Sequence, residues 1–430
     1  MKPESNKKNM TIDTETNEAL LASEVPTPHD TMDLLAEARD LFGKGVVENL
    51  NTCSLSWEEG FREKSRVFDS TEKSYLDCYT LAGSYNLGRK NPEIISEFKR
   101  AIRETDQGNF IMISREKADL AEALASFMGN ELQCSLFTVV RGEAMDAACK
   151  LARGYTGRSE LITVDGGWYG QTGFALSLSQ RKEKSLFGSL IPDIQTIPFN
   201  NKQAALEAIS TKTAAVLLEP IQAENCCRTA DKSYLEEIRS ACDKAGALLI
   251  LDESQSGFGR TGSRFYADVT GVCPDIMLLG EAMSGGMFPI GAMVFTKKIK
   301  QFFDEHPLIH LLTFGGHDIG CRVALKTLEL YQRIKPWENA AYQGAGLKER
   351  LKQIAGKNSN IDSVDGVGLL LSIHFSSEET ALESTKSMIK QGLLVKRGEV
   401  AKNSIVIRPP LIISDTEIDN IAEKVAKACR

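Results

Sequence analysis

The stretch Ala247-Leu248-Leu249-Ile250-Leu251-Asp252-Glu253-Ser254-Gln255-Ser256-Gly257-Phe258-Gly259-Arg260-Thr261-Gly262 starts as a continuous apolar run and then becomes polar and glycine-rich. A short run of apolar residues is typical of a strand that is buried on both faces of a parallel sheet. Asp252 comes directly after the run, and residues at the carboxyl ends of such strands line the crevice in which open α/β sheets bind ligands. The stretch therefore predicts an α/β fold with Asp252 in a ligand site, although a carboxylate that only caps the strand end fits the same pattern.

Strands and helices alternate on both sides of this stretch. The predicted strands cover residues 136–140, 161–164, 214–218, 276–279 and 289–295, and the predicted helices cover 118–128, 142–153, 234–245 and 319–333. Apolar strands that alternate with helices indicate a mostly parallel sheet with helices on both faces.

The composition changes along the chain and suggests four regions. Residues 1–30 are polar and predict a disordered tail. Residues 31–75 form an N-terminal segment, with helical spacing over 31–50 and a two-stranded meander over 67–77. We expect a large domain over 76–325 and a smaller α/β C-terminal domain over 326–430.

Length, charge and cysteine usage exclude several classes of function. The chain has 430 residues, is 42% hydrophobic and carries a formal net charge of −7, without a basic stripe that would indicate nucleic-acid binding. It contains no apolar run near the ~20 residues that cross a bilayer, and the N-terminus has no apolar core of a signal peptide. Ten scattered cysteines predict reduced thiols and a cytoplasmic protein. His306 and His310 are four residues apart but have no third ligand nearby, so we predict no metal site.

A second window carries the most specific feature of the chain. Leu278-Leu279-Gly280-Glu281-Ala282-Met283-Ser284-Gly285-Gly286 is followed by Pro289-Ile290-Gly291-Ala292. Together with Asp252–Gly262, this window resembles the class III pyridoxal-phosphate aminotransferases of the acetylornithine, ornithine and glutamate-semialdehyde type. The resemblance covers roughly residues 60–430 and implies a fold type I aminotransferase with a seven-stranded, mostly parallel sheet.

Position 281 lacks the residue that the resemblance predicts. The family has a lysine there, which forms a Schiff base with the cofactor aldehyde, and this chain has Glu281. An amine can condense with an aldehyde and then shuttle a proton, whereas a carboxylate cannot condense. Glu281 is therefore a candidate acid/base or ammonium-binding group, and the cofactor is either absent or a noncovalently held pyridoxal or pyridoxamine phosphate.

Other positions match the family's cofactor contacts to different degrees. The resemblance implies that Asp252 pairs with the pyridine nitrogen, that Gln255 contacts the ring hydroxyl and that Trp168 stacks on the ring, although Trp168 also fits core packing. Thr313 matches the threonine that reaches the cofactor phosphate of the other subunit.

The family's phosphate-binding phrase is altered in Val140-Arg141-Gly142-Glu143-Ala144. Arg141 and Gly142 could hold a phosphate at the start of a helix, through a guanidinium and backbone N–H groups. The alternative is that the side chain at position 141 closes this cup.

The expected substrate contacts are Glu224, Arg408 and Tyr169. In ornithine-type members a glutamate and an arginine at the positions of Glu224 and Arg408 pair, and the arginine can turn to a substrate carboxylate; a purely structural ion pair fits equally. Tyr169 stands where the family has a histidine.

Four functions are consistent with these residues. The first is a repurposed enzyme that acts on an amine or amino acid without pyridoxal transamination, with Asp252 and Glu281 in one crevice where one carboxyl pKa should be raised. The second is a non-catalytic partner that supplies Thr313 to an active homologue. The third is a noncovalent pyridoxamine-phosphate enzyme, and the fourth is an ordinary transaminase. The resemblance implies a homodimer, with a heterodimer as the alternative.

Overall fold

The computed structural model describes residues 31–129 and 131–429, which form two compact units divided between Glu58 and Glu59. The described part of the smaller unit contains the helices α1 (Thr31–Phe42) and α2 (Lys44–Thr52). The sequence predicted one helix over 31–50, but Gly43 has φ 99° and ends the first helix. The predicted tail over 1–30 lies outside the described residues.

The larger unit contains the remaining elements. Its strands are β1 (Glu59–Glu63), β2 (Arg66–Asp69), β3 (Ser74–Asp77), β4 (Leu132–Thr138), β5 (Glu160–Val164), β6 (Ile194–Ile197), β7 (Thr213–Leu218), β8 (Ile221–Gln222), β9 (Arg228–Thr229), β10 (Leu248–Asp252), β11 (Ile276–Leu279), β12 (Gly291–Thr296), β13 (Ile361–Val367), β14 (Leu370–Phe375), β15 (Leu393–Leu394), β16 (Lys396–Arg397) and β17 (Ser404–Ile407). Its helices are α3 (Thr80–Gly83), α4 (Pro92–Glu104), α5 (Arg115–Met128), α6 (Arg141–Thr156), α7 (Gly173–Leu178), α8 (Lys202–Ala208), α9 (Lys232–Ala245), α10 (Tyr266–Thr270), α11 (Lys297–Glu305), α12 (Asp318–Ile334), α13 (Pro336–Ala355), α14 (Glu378–Lys390) and α15 (Asp415–Ala428). Two short 3₁₀ helices cover Lys182–Phe187 and Glu281–Ser284.

The central sheet has seven strands in the order β4-β12-β11-β10-β7-β5-β6. Only β12 is antiparallel to its neighbours, and the other four pairs are parallel. The predicted mostly parallel, seven-stranded sheet is therefore confirmed, together with the predicted α/β fold class.

Both faces of this sheet are buried. Leu249 and Leu251 of β10 belong to the core on one face, and Leu248 and Ile250 belong to the core on the other. Successive side chains of a strand point to opposite faces. Because both faces are buried, residues 248–251 are all apolar, and Asp252 is the first polar residue after Ala247.

The C-terminal residues build a separate sheet with the order β13-β14-β17-β16, in which all pairs are antiparallel. Its core, which includes Leu347, Ile373, Ile407 and Ile421, is distinct from the two cores of the central sheet. Residues 59–75, predicted as part of an N-terminal segment, lie in the larger unit, where β1, β2 and β3 pair in sequence. The boundary near residue 326 stays a prediction.

None of the described helices is long and apolar enough to cross a membrane. Within the same residues no group of three His, Cys, Asp or Glu side chains could hold a metal ion.

Candidate functional site

The candidate site lies at the carboxyl edge of the central sheet. The strands β4, β7, β10 and β11 point in the same direction, so the residues that follow them meet at one edge. Leu251 lies opposite Leu218 across the β10–β7 pair, which places Asp252 beside Glu219. Arg141 begins α6 shortly after β4.

Arg141 bridges these two carboxylates. Its Nε donates to Asp252 Oδ2 at 2.8 Å, and one of its terminal nitrogens donates to Glu219 Oε1 at 2.7 Å. The side chain of Arg141 is 11% exposed, and those of Glu219 and Asp252 are 2% and 0% exposed. The three groups therefore form a buried ion-pair network.

The remaining oxygens of both carboxylates also have donors. Asp252 Oδ1 accepts from the Ser254 backbone N–H at 3.0 Å, and Glu219 Oε2 accepts from the Trp168 backbone N–H at 2.9 Å. Every oxygen of the pair is thus hydrogen-bonded within the chain. Fully satisfied polar networks rigidify their surroundings, and a buried group that loses its partner is costly.

Burial and charge set the protonation of this network. Burial alone lowers the pKa of Arg141, but the charges of Asp252 and Glu219 outweigh it, so the pKa is raised and the guanidinium stays charged. Burial raises the pKa of Glu219, Arg141 opposes this effect, and the charge of Asp252 adds to it. A carboxyl pKa is therefore raised at the sheet edge, but at Glu219, which was not one of the two carboxylates, Asp252 and Glu281, for which we predicted it; that expectation stays a prediction.

The observed contacts of Arg141 and Gly142 differ from the phosphate contact that we predicted for these two residues. Arg141 turns toward the sheet edge because two buried carboxylates there need a cation. Gly142 packs tightly, since a Cβ at this position would lie 2.8 Å from Thr172 Oγ1. The Arg141 guanidinium thus contacts Asp252 and Glu219, and the closed phosphate cup that we considered as the alternative stays a prediction.

Trp168 and Tyr169 have different environments. Trp168 is half-buried, and the guanidinium of Arg181 lies over its ring at 5.0 Å. Tyr169 is fully buried, and its hydroxyl accepts from Thr163 Oγ1 at 3.0 Å and donates to the Leu217 carbonyl at 3.4 Å. The predicted substrate contact of Tyr169 does not fit this position, because its side chain is a packed part of the core under the sheet edge.

Arg408, Glu224 and Gln255 form a second buried cluster. Arg408 donates to Glu224 Oε1 at 3.0 Å and also to the side-chain oxygen of Gln255, whose amide nitrogen lies 3.3 Å from Glu224 Oε1. Burial alone would raise the pKa of Glu224, but Arg408, together with Lys396 and the Glu399 backbone N–H, outweighs burial, and the pKa is lowered. The structure brings Arg408 and Glu224 together as expected. Gln255, which the resemblance assigned to the cofactor ring, hydrogen-bonds to both of them.

Glu281 has no such partner. It begins the 3₁₀ helix that follows β11 and is half-buried. Its carboxylate makes no hydrogen bond or ion pair with any residue in the described ranges. Ser254, against which Gly280 packs closely, has a hydroxyl that is buried and also unpaired within those ranges.

Two further positions complete the comparison with the sequence. Thr313 is exposed in the single chain, which leaves its predicted role across a subunit interface as a proposal. Glu219 was not predicted as a site residue. It follows the buried strand β7 as Asp252 follows β10, and this shared position was the available signal.

With this geometry established, the chain can be placed among known proteins. The sequence model of the class III aminotransferases matches residues 60–429, and the chain belongs to this family. An uncharacterised aminotransferase of Archaeoglobus fulgidus is 36% identical over 397 residues, which cover 91% of this chain and 94% of that protein.

Solved structures of the same family share the fold. The ornithine aminotransferase of Toxoplasma gondii superposes with a TM-score of 0.86 at 24% identity, covering 99% of this chain and 98% of that one. The acetylornithine aminotransferase of Elizabethkingia anophelis gives a TM-score of 0.77 at 25% identity, over 90% of this chain and 98% of that one.

The residues at the sheet edge do not fit pyridoxal or pyridoxamine phosphate. Asp252, which the resemblance assigns to the pyridine nitrogen, already has Arg141 and the Ser254 N–H on its two oxygens. Position 281 offers a carboxylate where the aldehyde would need an amine. We therefore derive no step through this cofactor, and the geometry does not favour the third or fourth function considered above.

Proposed function

We propose that this class III aminotransferase-fold protein is a repurposed enzyme that binds an amine or amino acid directly. Glu281 binds the ammonium group of the substrate and exchanges a proton with it. Asp252 takes part indirectly, since with Glu219 it holds Arg141 in place. The proposal rests on one observation, which is the half-buried Glu281 carboxylate without a partner among the described residues.

The surroundings of Glu281 support this reading. The carboxylate of this half-buried residue has its acceptor oxygens free of any partner in the described residues, and a substrate ammonium would be a suitable partner. The unpaired Ser254 hydroxyl lies against Gly280 and would provide a second polar contact. Arg408 adds a candidate site for a substrate carboxylate, although in the free chain it is engaged with Glu224.

Ligand binding to the native state tests the proposal. We expect a panel of amines, diamines and amino acids to contain at least one compound that raises the melting temperature of the full chain, because a ligand that binds only the folded state stabilises it. Glu281→Gln should abolish that shift while changing the unliganded melting temperature little, since the carboxylate has no partner to lose. The exposed Glu236→Gln on α9 serves as a control that should keep the full shift. If no compound shifts the wild-type protein, the proposal fails.

A second candidate function has its own observation. The segment Phe110–Ile113 and residues Leu308, Ile309, Leu311 and Phe314 expose large apolar side chains. Exposed large apolar side chains that follow one another along the chain, as in Phe110–Ile113, are typical of association sites. This favours a chain that pairs with a second copy or with an active homologue, to which the exposed Thr313 would be presented.

The two partners are distinguishable by purification from the native source. A homodimer that contains only this chain supports self-association and argues against a role as a helper subunit. Stoichiometric recovery of a second aminotransferase, together with a loss of that enzyme's activity when this chain is removed, would establish the helper function instead.

A further inference from the structure

The Arg141 network has only an indirect part in the proposed function, although it is a closed cluster of its own. The guanidinium of Arg141 lies between two buried carboxylates and donates to both, at the edge of the sheet where ligands of this fold class bind. Each carboxylate has its other oxygen on a backbone N–H, so Arg141 is the one group with formal positive charge that contacts the pair in the described residues.

The local sequence explains how the guanidinium reaches this position. Arg141 is the first residue of α6 and projects from the helix start. Gly142 and Gly170 pack closely, since a Cβ on Gly170 would lie 3.0 Å from Gly142 Cα. The helix start is thereby held near the sheet edge, within the length of one arginine side chain.

We infer that the Arg141 guanidinium permanently occupies the binding position formed by Asp252 and Glu219. The chain thus supplies its own planar cation at a position where a cationic ring would otherwise bind. The inference concerns binding and does not depend on the substrate proposed for Glu281. It predicts that the wild-type protein does not bind protonated pyridines at this position. It also predicts that loss of the guanidinium creates a pocket for a small planar monocation such as methylguanidinium or a protonated pyridine.

Chemical rescue tests the inference. Arg141→Ala leaves two buried carboxylates without their cation, and we expect its melting temperature to fall by about 5 °C or more. Methylguanidinium at about 10 mM should restore at least half of that loss by binding the native state. Arg153→Ala on the same helix is the matched control, because Arg153 donates to the Pro192 carbonyl and lies over the Phe174 ring but contacts no carboxylate among the described residues, and it should show no rescue.

A direct titration of wild-type protein makes the test independent of whether the alanine variant folds. Pyridoxine phosphate, followed by its absorbance and by equilibrium dialysis, should bind Arg141→Ala and should fail to bind the wild type at about 1 mM. Micromolar binding to the wild type would overturn the inference. So would an Arg141→Ala protein that melts with the wild type, or one that is destabilised but not rescued by methylguanidinium. These results leave the Glu281 experiment unaffected, so the two proposals fail separately.

Discussion

Arg141, Arg260 and Arg408 have largely buried side chains, and each is compensated differently. Arg141 contacts two carboxylates, and Arg408 contacts one carboxylate and an amide. Arg260 is fully buried, and its hydrogen-bond partners in the described part of the chain are neutral oxygens, which belong to the carbonyls of Leu369 and Pro409 and to the side chain of Asn86. Burial, with the nearby charge of Arg408, lowers the pKa of Arg260 to about 9. These arginines therefore differ in how much negative charge contacts them. Removing one partner should change the free energy of unfolding by a different amount at each site.

The Glu224–Arg408 pair allows this difference to be measured. Glu224→Gln leaves a buried guanidinium without its counter-charge and should cost about 3–5 kcal/mol in the free energy of unfolding. The double variant Glu224→Gln, Arg408→Met removes both charges and should recover much of that loss. Urea unfolding of both single variants and the double variant gives the coupling energy, and strictly additive effects would show that the pair does not interact.

Glu399 predicts a loss of stability in acid. Burial alone would raise the pKa of Glu399, but the hydrogen bond with Lys396 and the charge of Lys402 outweigh it and hold the pKa at about 2. The unfolded carboxyl takes up its proton near its ordinary value of 4.5, so between these values the unfolded state binds more protons. The contribution of Glu399 is therefore present above pH 4.5 and is lost as the pH falls toward about 2.

This dependence can be isolated by subtraction. The difference in unfolding free energy between wild type and Glu399→Gln, measured by urea titration at a series of pH values, should shrink across that window. A difference that stays constant from neutral pH to pH 3 or below would contradict the assignment.

Some contacts of single residues could be predicted from the sequence, and others could not. The strand-end position of Asp252 and the pairing of Glu224 with Arg408 followed from motifs that survive in the chain. The contacts of Arg141 did not, because one of its two partners is Glu219, which lies 78 positions away and directly follows β7. Tyr169 was assigned by analogy with a histidine, and an aromatic ring at that position packs into the core.

At the scale of elements, close contact between a helix and a turn provides the sharpest prediction. Gly344 in α13 packs against Gly368 in the turn between β13 and β14, and a Cβ on Gly344 would lie 2.1 Å from the Gly368 carbonyl oxygen. Gly344→Ala should therefore destabilise the protein by roughly 1–3 kcal/mol, although alanine favours helices. The measurement is the midpoint of urea unfolding.

The same helix contains a matched control. A Cβ on Gly346 would meet only the flexible end of Arg350, at 3.0 Å. Gly346→Ala should thus be neutral or stabilise the protein by up to about 1 kcal/mol. Equal losses in both variants would mean that helix propensity or local backbone effects, and not the contact with Gly368, dominate.

The predicted elements were close to the observed ones where apolar periodicity was strong. The strand predicted over 214–218 is observed as Thr213–Leu218, and the helix predicted over 234–245 as Lys232–Ala245. The strand predicted over 289–295 starts later, at Gly291. Boundaries depend on backbone hydrogen bonds between distant strands, which the local pattern does not contain.

At the scale of the whole molecule, the exposed apolar residues predict self-association. Asp318 accepts a hydrogen bond from Ser114 at 2.6 Å, and its N–H donates to the Gln107 carbonyl at 3.2 Å, which ties the segment before α5 to the start of α12. Ile113 lies next to this tie and is 95% exposed. We expect Ile113→Asp to shift the protein from dimer toward monomer, because burying a charge in an apolar interface is costly.

Light scattering after gel filtration measures this shift. Leu186→Asp is the control, because Leu186 is also exposed but lies in the 3₁₀ helix after α7. Its mass should equal that of the wild type. A wild-type protein that is monomeric at all concentrations would refute the expectation. The sequence could not make this prediction from the residues alone, since exposure of an apolar side chain is a property of the folded chain.

The closed Arg141 network also bears on what would be needed to give this chain an amine at position 281. Glu281→Lys alone would put an amine at the edge of a site in which Arg141 already occupies Asp252 and Glu219. Arg141→Ala alone would leave two buried carboxylates without their cation. Only the double variant would offer both an amine and a free anionic pair, so the effects of the two substitutions on ligand binding should be strongly non-additive.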